Sequence, residues 1–231
     1  MRVPLTSDGW REMAVATVVL GGAAAALAWW FWPLAAMPVI VWVWAITFFR
    51  DPNRSVPTDP GVLVAPADGK VTEIVELDHD DEIGGPARRI SIFLSIFNAH
   101  INRSPCAGQV RSIDYRKGAF INAMSPDSSH RNEANTVVLA GLNGAPATVV
   151  VRQIAGAIAR RIICHARIGD RLDTGQRFGM IKFGSRTELT IPKHDGDRVM
   201  VTVGQTVYAG KDVLIRLADD AQQGEAATCP S

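Results

Sequence analysis

From Met13 to Phe49 the chain carries no charged residue, 37 positions in succession. About 20 apolar residues already suffice to cross a bilayer, so a run of this length points to a membrane-seated segment. The Trp32-Pro33 junction divides it into 20 residues (13–32) and 16 residues (34–49). A proline removes a backbone donor and crowds the preceding turn, which favours two helices in a hairpin over one span. Trp29, Trp30, Trp32, Trp42 and Trp44 supply amphipathic rings suited to the headgroup level. Arg2 and Arg11 precede the run, while Arg50 and Arg54 follow it. Basic residues on both flanks place both ends on the cytoplasmic side; a hairpin, spanning or re-entrant, satisfies that, and a single crossing does not. The run is too long for a signal peptide, and no small-residue cleavage site follows it.

The anchor is assigned to residues 1–50. The polar, proline-broken Arg50-Asp-Pro-Asn-Arg-Ser-Val-Pro57 then marks a boundary. Residues 51–218 read mostly as strand: Val62–Val64, Lys70–Glu76, Arg89–Phe97, Thr136–Ala140, Ala147–Arg152, Glu188–Pro192 and Arg198–Val203 carry β-branched or aromatic residues between Gly, Pro and Asp punctuation. One helix is placed near Gly156–Ala166, against the β-branched pair Ile162-Ile163. Two segments echo each other, 169–178 and 204–213, each with glycines six apart followed by apolar residues. Paired units of this kind suit a compact β-sandwich hybrid, or simply two hairpin turns. The small, polar tail 219–231 is expected to be disordered.

Charge and cysteines exclude several classes. A formal net charge of +1 gives no electrostatic reason to expect a nucleic-acid partner. Cys106, Cys164 and Cys229 are odd in number and lack metal-ligand spacing, so they read as free thiols. No zinc motif or glycine-rich phosphate loop is present.

Three short segments carry the chemistry. Gly184-Ser185 lies in Met180-Ile-Lys-Phe-Gly-Ser-Arg-Thr-Glu-Leu189; Asp68 lies in Ala65-Pro-Ala-Asp-Gly-Lys70; His100 lies in Phe97-Asn-Ala-His-Ile-Asn-Arg103. Taken singly, a Gly-Ser pair is a turn, an Asp-Gly pair opens a strand, and a lone histidine is a satisfied structural residue. Together, and behind a membrane anchor, they resemble the phosphatidylserine decarboxylases, specifically the short, archaeal-type branch of that pyruvoyl-dependent family. The likeness runs from about residue 13 to about 217. Two departures separate the chain from the long branch, which has Leu-Gly-Ser-Thr at the cleavage site and two histidines three apart. Here the site is Phe-Gly-Ser-Arg, and Arg103 falls where the second histidine would stand.

The resemblance implies a mainly β fold, a β-rich α+β arrangement with a β-sandwich/barrel-hybrid catalytic domain behind the N-terminal hydrophobic helical hairpin. It implies a proenzyme at the cytoplasmic face of the cell membrane that converts phosphatidylserine to phosphatidylethanolamine. The cofactor would be a pyruvoyl group made from Ser185 by autocleavage after Gly184, leaving chains 1–184 and 185–231 associated. Its ketone would take the substrate amine as a Schiff base and act as an electron sink, with no metal involved. Asp68 and His100 are the groups the resemblance offers for proton transfer, in self-cleavage, decarboxylation or both. His165 and His130 stand in reserve, and His79 and His194 read as solvated. Arg186 and Lys182 flank the cleavage site, either as ligands of the substrate phosphodiester or as solvated strand-edge residues. Asn132-Glu133-Ala134-Asn135 resembles a polar family segment of unassigned role. Two other functions compete: a non-catalytic, membrane-tethered carrier-like module with Lys211 at a hairpin tip, and a pyruvoyl decarboxylase of a soluble amino acid.

Overall fold

The structure, a computed structural model, describes residues 5–125, 127–157, 161–182 and 184–218. The expected disordered tail 219–231, with Cys229, lies outside the described residues. The chain forms two units, one made of residues up to Asn53 together with Phe97–His100, the other of the remainder.

The first unit is a helical hairpin. Helix α1 (Trp10–Phe31) and helix α2 (Ala36–Phe48) are joined by a 3-10 turn at Trp32–Ala35. The break falls at Phe31, which is extended with φ −155° and ψ 98°, one residue earlier than the proline alone predicts. Pro33 then occupies the start of the 3-10 turn, where its missing N–H leaves no hydrogen bond unmade. Trp42 Nε1 donates to Thr17 Oγ1 across the two arms at 2.9 Å. At the open end, Leu5 and Arg50 form an antiparallel bridge, and Thr6 N–H donates to the Phe49 carbonyl at 2.9 Å. Both ends of the hairpin are therefore side by side. Phe48 and Phe49 are buried at that base, whereas Trp29 is 95% exposed at the tip, with Trp30 and Trp32 also bare. The segment Ser7–Phe48 is long and apolar enough to cross a membrane.

The second unit is antiparallel β. In chain order its strands are β1 (Val62–Val64), β2 (Gly69–Asp80), β3 (Gly85–Leu94), β4 (Ile101–Arg103) and β5 (Gly108–Arg116). After a single helical turn, α3 (Ser128–Arg131), come β6 (Ala134–Gly141), β7 (Val149–Ile154), β8 (Arg161–Cys164), β9 (Arg171–Leu172) and β10 (Arg177–Lys182). Strands β11 (Ser185–Pro192), β12 (Arg198–Val199), β13 (Thr206–Val207) and β14 (Val213–Arg216) complete it. One sheet has eight strands in the order β13-β2-β3-β11-β7-β6-β5-β9; two smaller sheets run β1-β14-β12 and β4-β10-β8. The fold is mainly β, as expected.

The segment placed as a helix near 156–166 instead contains β8, which pairs with β10 through Ile163↔Met180 and Ile162↔Ile181. The β-branched pair decides it, since such side chains suit a pleated surface better than a helical turn. The echoed segments both open on glycines with φ +93°, Gly169 and Gly204, and lead into the short strands β9 and β13. Of the expected strand 198–203, only Arg198–Val199 is one.

Strand β11 lies between β3 and β7 and is buried on both faces. Alternation sends Ser185, Thr187, Leu189 and Ile191 to one face and Arg186, Glu188 and Thr190 to the other. Leu189 and Ile191 join Ile90, Ile92, Val149 and Val151 in a core that also takes in Leu63, Leu214 and Ile215 of the small sheet and Phe178 of β10. Each such side chain contributes roughly 1.5–3 kcal/mol on burial. The second half of β11 is thereby anchored in the core of the sheet.

Candidate active site

Strand β10 belongs to a three-stranded sheet and β11 to the eight-stranded one, so the chain changes sheets between Lys182 and Ser185. Gly184 makes the change with φ +56°, a left-handed conformation that a Cβ disfavours. Ser185 follows at once, paired with Leu94 and wholly buried. Among the described residues its Oγ has no hydrogen-bond partner. A buried hydroxyl left unsatisfied costs about 1–3 kcal/mol, and native structures keep few such groups. A buried hydroxyl directly after a glycyl carbonyl can attack that carbonyl, and this chemistry fits the residues present.

Two positions along the same face, Thr187 begins a chain of buried amides. Asn102 Nδ2 donates to Thr187 Oγ1 at 3.1 Å, Gln153 Nε2 to Asn102 Oδ1 at 2.8 Å, and Asn135 Nδ2 to Gln153 Oε1 at 2.9 Å. These contacts tie β4, β6 and β7 to the first turn of β11. Sequence reading missed Asn102, Gln153 and Thr187 as a set, because they meet only through non-local pairing; Asn102 was visible merely as a polar neighbour of His100.

Asp68 is 4% exposed, and both carboxylate oxygens are engaged. Oδ1 accepts from the Ala209 N–H at 2.7 Å, and Oδ2 forms an ion pair with Arg54 Nη2 at 2.5 Å. Arg54 also stands over the Tyr208 ring, 5.3 Å from its centroid. The sequence marked Arg54 only as a basic residue flanking the apolar run, not as a partner of Asp68. Strand β3 relates Asp68 to Gly184-Ser185: Lys70 pairs with Phe93, and Ser185 pairs with Leu94. Asp68 and Gly184 immediately precede β2 and β11, the two neighbours of β3, and both strands start at that same end of β3. The sheet thus brings Asp68, Gly184 and Ser185 to one end.

Arg186 points to the opposite face from Ser185 and is buried there. Its guanidinium lies 3.0 Å from Glu73 Oε2 and 3.2 Å from Glu188 Oε1, and Glu188 also accepts from Ser129 Oγ at 2.6 Å. Lys182 is buried as well. Neither is a solvated edge residue, and Arg186 spends its charge on carboxylates across the sheet from Ser185. Asn132 is also buried: its side chain bonds both backbone groups of Ile121 and donates to the Ala155 carbonyl at 2.7 Å.

His100 belongs to the helical unit. It is 0% exposed, and its ring lies 4.3 Å from that of Phe48. Nδ1 is 2.9 Å from the Asn98 carbonyl, which can only accept, so Nδ1 carries the proton and Nε2 the lone pair. Burial pushes its pKa down to about 4, opposed by the bond to Asn98 and aided by the Arg50 charge. At neutral pH the imidazole is therefore an uncharged base. His79, His130, His165 and His194 are all exposed. Arg103, at the position of the missing second histidine, donates to the Gly175 carbonyl at 3.0 Å. The Cys106 thiol is buried and pushed up to about 12, which makes it inert near neutrality. Among the described residues, no group of three or more His, Cys, Asp or Glu could hold a metal ion.

A family profile described as phosphatidylserine decarboxylase matches residues 43–215. A phosphatidylserine decarboxylase proenzyme of Rhodopirellula baltica is 44% identical over 214 residues, covering 93% of this chain and 88% of the relative. Proteins of the same description from Burkholderia mallei and Burkholderia vietnamiensis are 41% and 40% identical, each aligned over 96% of its own length.

Proposed function

The chain belongs to the phosphatidylserine decarboxylase family, and from that premise we propose how its own residues carry the reaction. It is a carboxy-lyase that converts phosphatidylserine to phosphatidylethanolamine. The observation that carries the mechanistic reading is the buried Ser185 Oγ, without a hydrogen-bond partner among the described residues, directly after Gly184 at φ +56°.

Ser185 Oγ attacks the Gly184 carbonyl carbon. The new C–O bond forms, the C–N bond breaks, and the hydroxyl proton ends on the released amino nitrogen, converting the amide to an ester. Removal of the Ser185 Cα proton then expels the Gly184 carboxylate and cuts the chain. The dehydroalanine left behind takes up one water and releases ammonia, which makes residue 185 a pyruvoyl group. That ketone supplies the sink for the electron pair freed when carbon dioxide leaves the substrate. Chains 1–184 and 185–231 stay together, because β11 is hydrogen-bonded on both sides to strands of the large chain.

Proton transfer is assigned to Asp68 and His100. Asp68 is held rigid by Arg54 and the Ala209 N–H. His100 is neutral with its lone pair on Nε2, as a base requires, and a positioned acid or base contributes about 10²–10⁴-fold. The amide chain through Asn102 and Gln153 fixes the start of β11 around these steps.

The hairpin attaches the enzyme to its lipid substrate. At 1.5 Å per residue, α1 is roughly 33 Å long, comparable with the hydrocarbon core of about 30 Å. The paired base at Leu5 and Arg50 keeps both ends on one side, which the basic flanks assign to the cytoplasm. Confinement at the surface raises the effective concentration of the substrate at the site.

Intact-mass measurement of the purified chain tests the reading. Two chains parted after Gly184, the smaller with a ketone in place of its N-terminal amine, are expected. A single uncut chain that still decarboxylates phosphatidylserine would overturn it.

A further inference from the structure

We propose that Gly156 is a positioning residue for self-cleavage, holding the scissile carbonyl of Gly184 where the Ser185 hydroxyl can reach it. The proposal rests on the reading of Gly184-Ser185 given above and adds a residue that neither sequence pattern nor family likeness pointed to.

Strands β7 and β11 pair through Ile154↔Arg186. Two residues further along each strand stand Gly156 and Gly184, facing one another beyond the last recorded pair. A Cβ built on Gly156 would fall on the Gly184 carbonyl oxygen, and would lie 3.0 Å from its carbonyl carbon and 3.2 Å from Ala123 Cβ. The backbone of Gly156 is thus the wall against which the reacting carbonyl sits. That wall cannot easily retreat. The preceding residue, Ala155, donates its N–H to the Glu133 carbonyl at 2.9 Å and accepts at its own carbonyl from Asn132 Nδ2 at 2.7 Å. Asn132 is itself buried and closed around the backbone of Ile121. The polar segment 132–135 therefore acts through Ala155 on the peptide that is to be cut.

Gly156 is not among the residues with positive φ, so its dihedral angles are open to alanine. What a side chain would lack is space, and the group displaced would be the Gly184 carbonyl. In the attack this carbon changes from planar to tetrahedral and its oxygen takes up negative charge. A displacement of about 1 Å at a reacting centre costs on the order of 10²-fold in rate. The Gly156→Ala substitution therefore strikes the reaction geometry at a place where the ladder between β7 and β11 has already ended.

The test compares the full-length wild-type chain, Gly156→Ala and Ser185→Ala in detergent micelles, reading the rate of splitting by intact mass. Hydroxylamine serves as the probe of the first step, since it cleaves the ester formed by Ser185 but not the amide. The expected result for Gly156→Ala is splitting at least ~100-fold slower than wild type, no cleavage by hydroxylamine, and a cooperative thermal transition like that of Ser185→Ala. Splitting at the wild-type rate would overturn the proposal. So would hydroxylamine cleavage as fast as in wild type, because the ester would then form without Gly156 in place. Loss of the cooperative transition would assign Gly156 to the fold instead and also overturn it. An uncut wild-type chain is a different failure: it removes the Gly184-Ser185 reading, and this proposal with it.

Discussion

Arg54 Nη2 and Asp68 Oδ2 lie 2.5 Å apart, with 13% and 5% of their side chains exposed. The pair joins the connector after the hairpin to the segment that leads into β2. Removing one partner of such a pair strands a buried charge, which costs about 3–5 kcal/mol. Arg54→Met should lower the thermal midpoint markedly yet leave the chain able to split. Asp68→Asn keeps the shape and should abolish or strongly slow splitting; melting curves alongside intact masses separate the two effects. An Asp68→Asn chain that splits at the normal rate would remove Asp68 from self-cleavage.

Ser185→Ala is expected to yield one uncut, inactive chain whose thermal midpoint is equal to or above that of the wild-type chain captured before it splits. The hydroxyl it removes is buried without a partner, so its loss relieves a penalty of about 1–3 kcal/mol instead of incurring one. A clear drop in the midpoint would mean that Oγ has a stabilising partner.

The His100 imidazole makes stability depend on pH with a definite sign. Its folded pKa of about 4 lies below the ordinary 6.5, so the unfolded chain binds the extra proton first. The stabilisation is fully present above pH 6.5 and is lost as pH falls toward 4, by roughly 3 kcal/mol in all. Thermal midpoints of uncut Ser185→Ala between pH 7 and pH 4 should decline, and adding His100→Gln should flatten that decline. If His100 is the base for splitting, the acid limb of the splitting rate should have its midpoint near pH 4 and not near 6.5.

The amide chain predicts a coupling. Asn102→Ala leaves Thr187 Oγ1 and Gln153 Nε2 without their recorded contacts to this residue, at a cost of about 1–3 kcal/mol for each group orphaned. Thr187→Val should cost less, and the double variant less than the sum of the two. A denaturation cycle in the Ser185→Ala background measures this; strict additivity would show that the two residues do not act together.

Membrane attachment should depend on the hairpin tip. Replacing Trp29, Trp30 and Trp32 together by serine removes large exposed apolar surfaces and should weaken co-flotation with phosphatidylserine-containing vesicles by at least ~10-fold. Intact masses should be unaffected, since the tip is remote in sequence from the cleavage site.

The division of labour between sequence and fold follows from the range of the interactions. An uncharged run of 37 residues interrupted at Trp32-Pro33 determines a hairpin by itself, because hydrophobicity and the missing proline N–H act locally. Alternating β-branched segments likewise made the mainly β class legible, and Gly184-Ser185, Asp68 and His100 stood out as chemistry-bearing types in recognisable surroundings. Ile162-Ile163 was misplaced in a helix because its partner, β10, lies some twenty residues further on and only pairing reveals it. That Arg186 faces away from Ser185, that Arg54 holds Asp68, and that Gly156 abuts the Gly184 carbonyl were all decided by strand register. Register is a property of contacts between distant parts of the chain, and a one-residue slip would reverse every one of those faces.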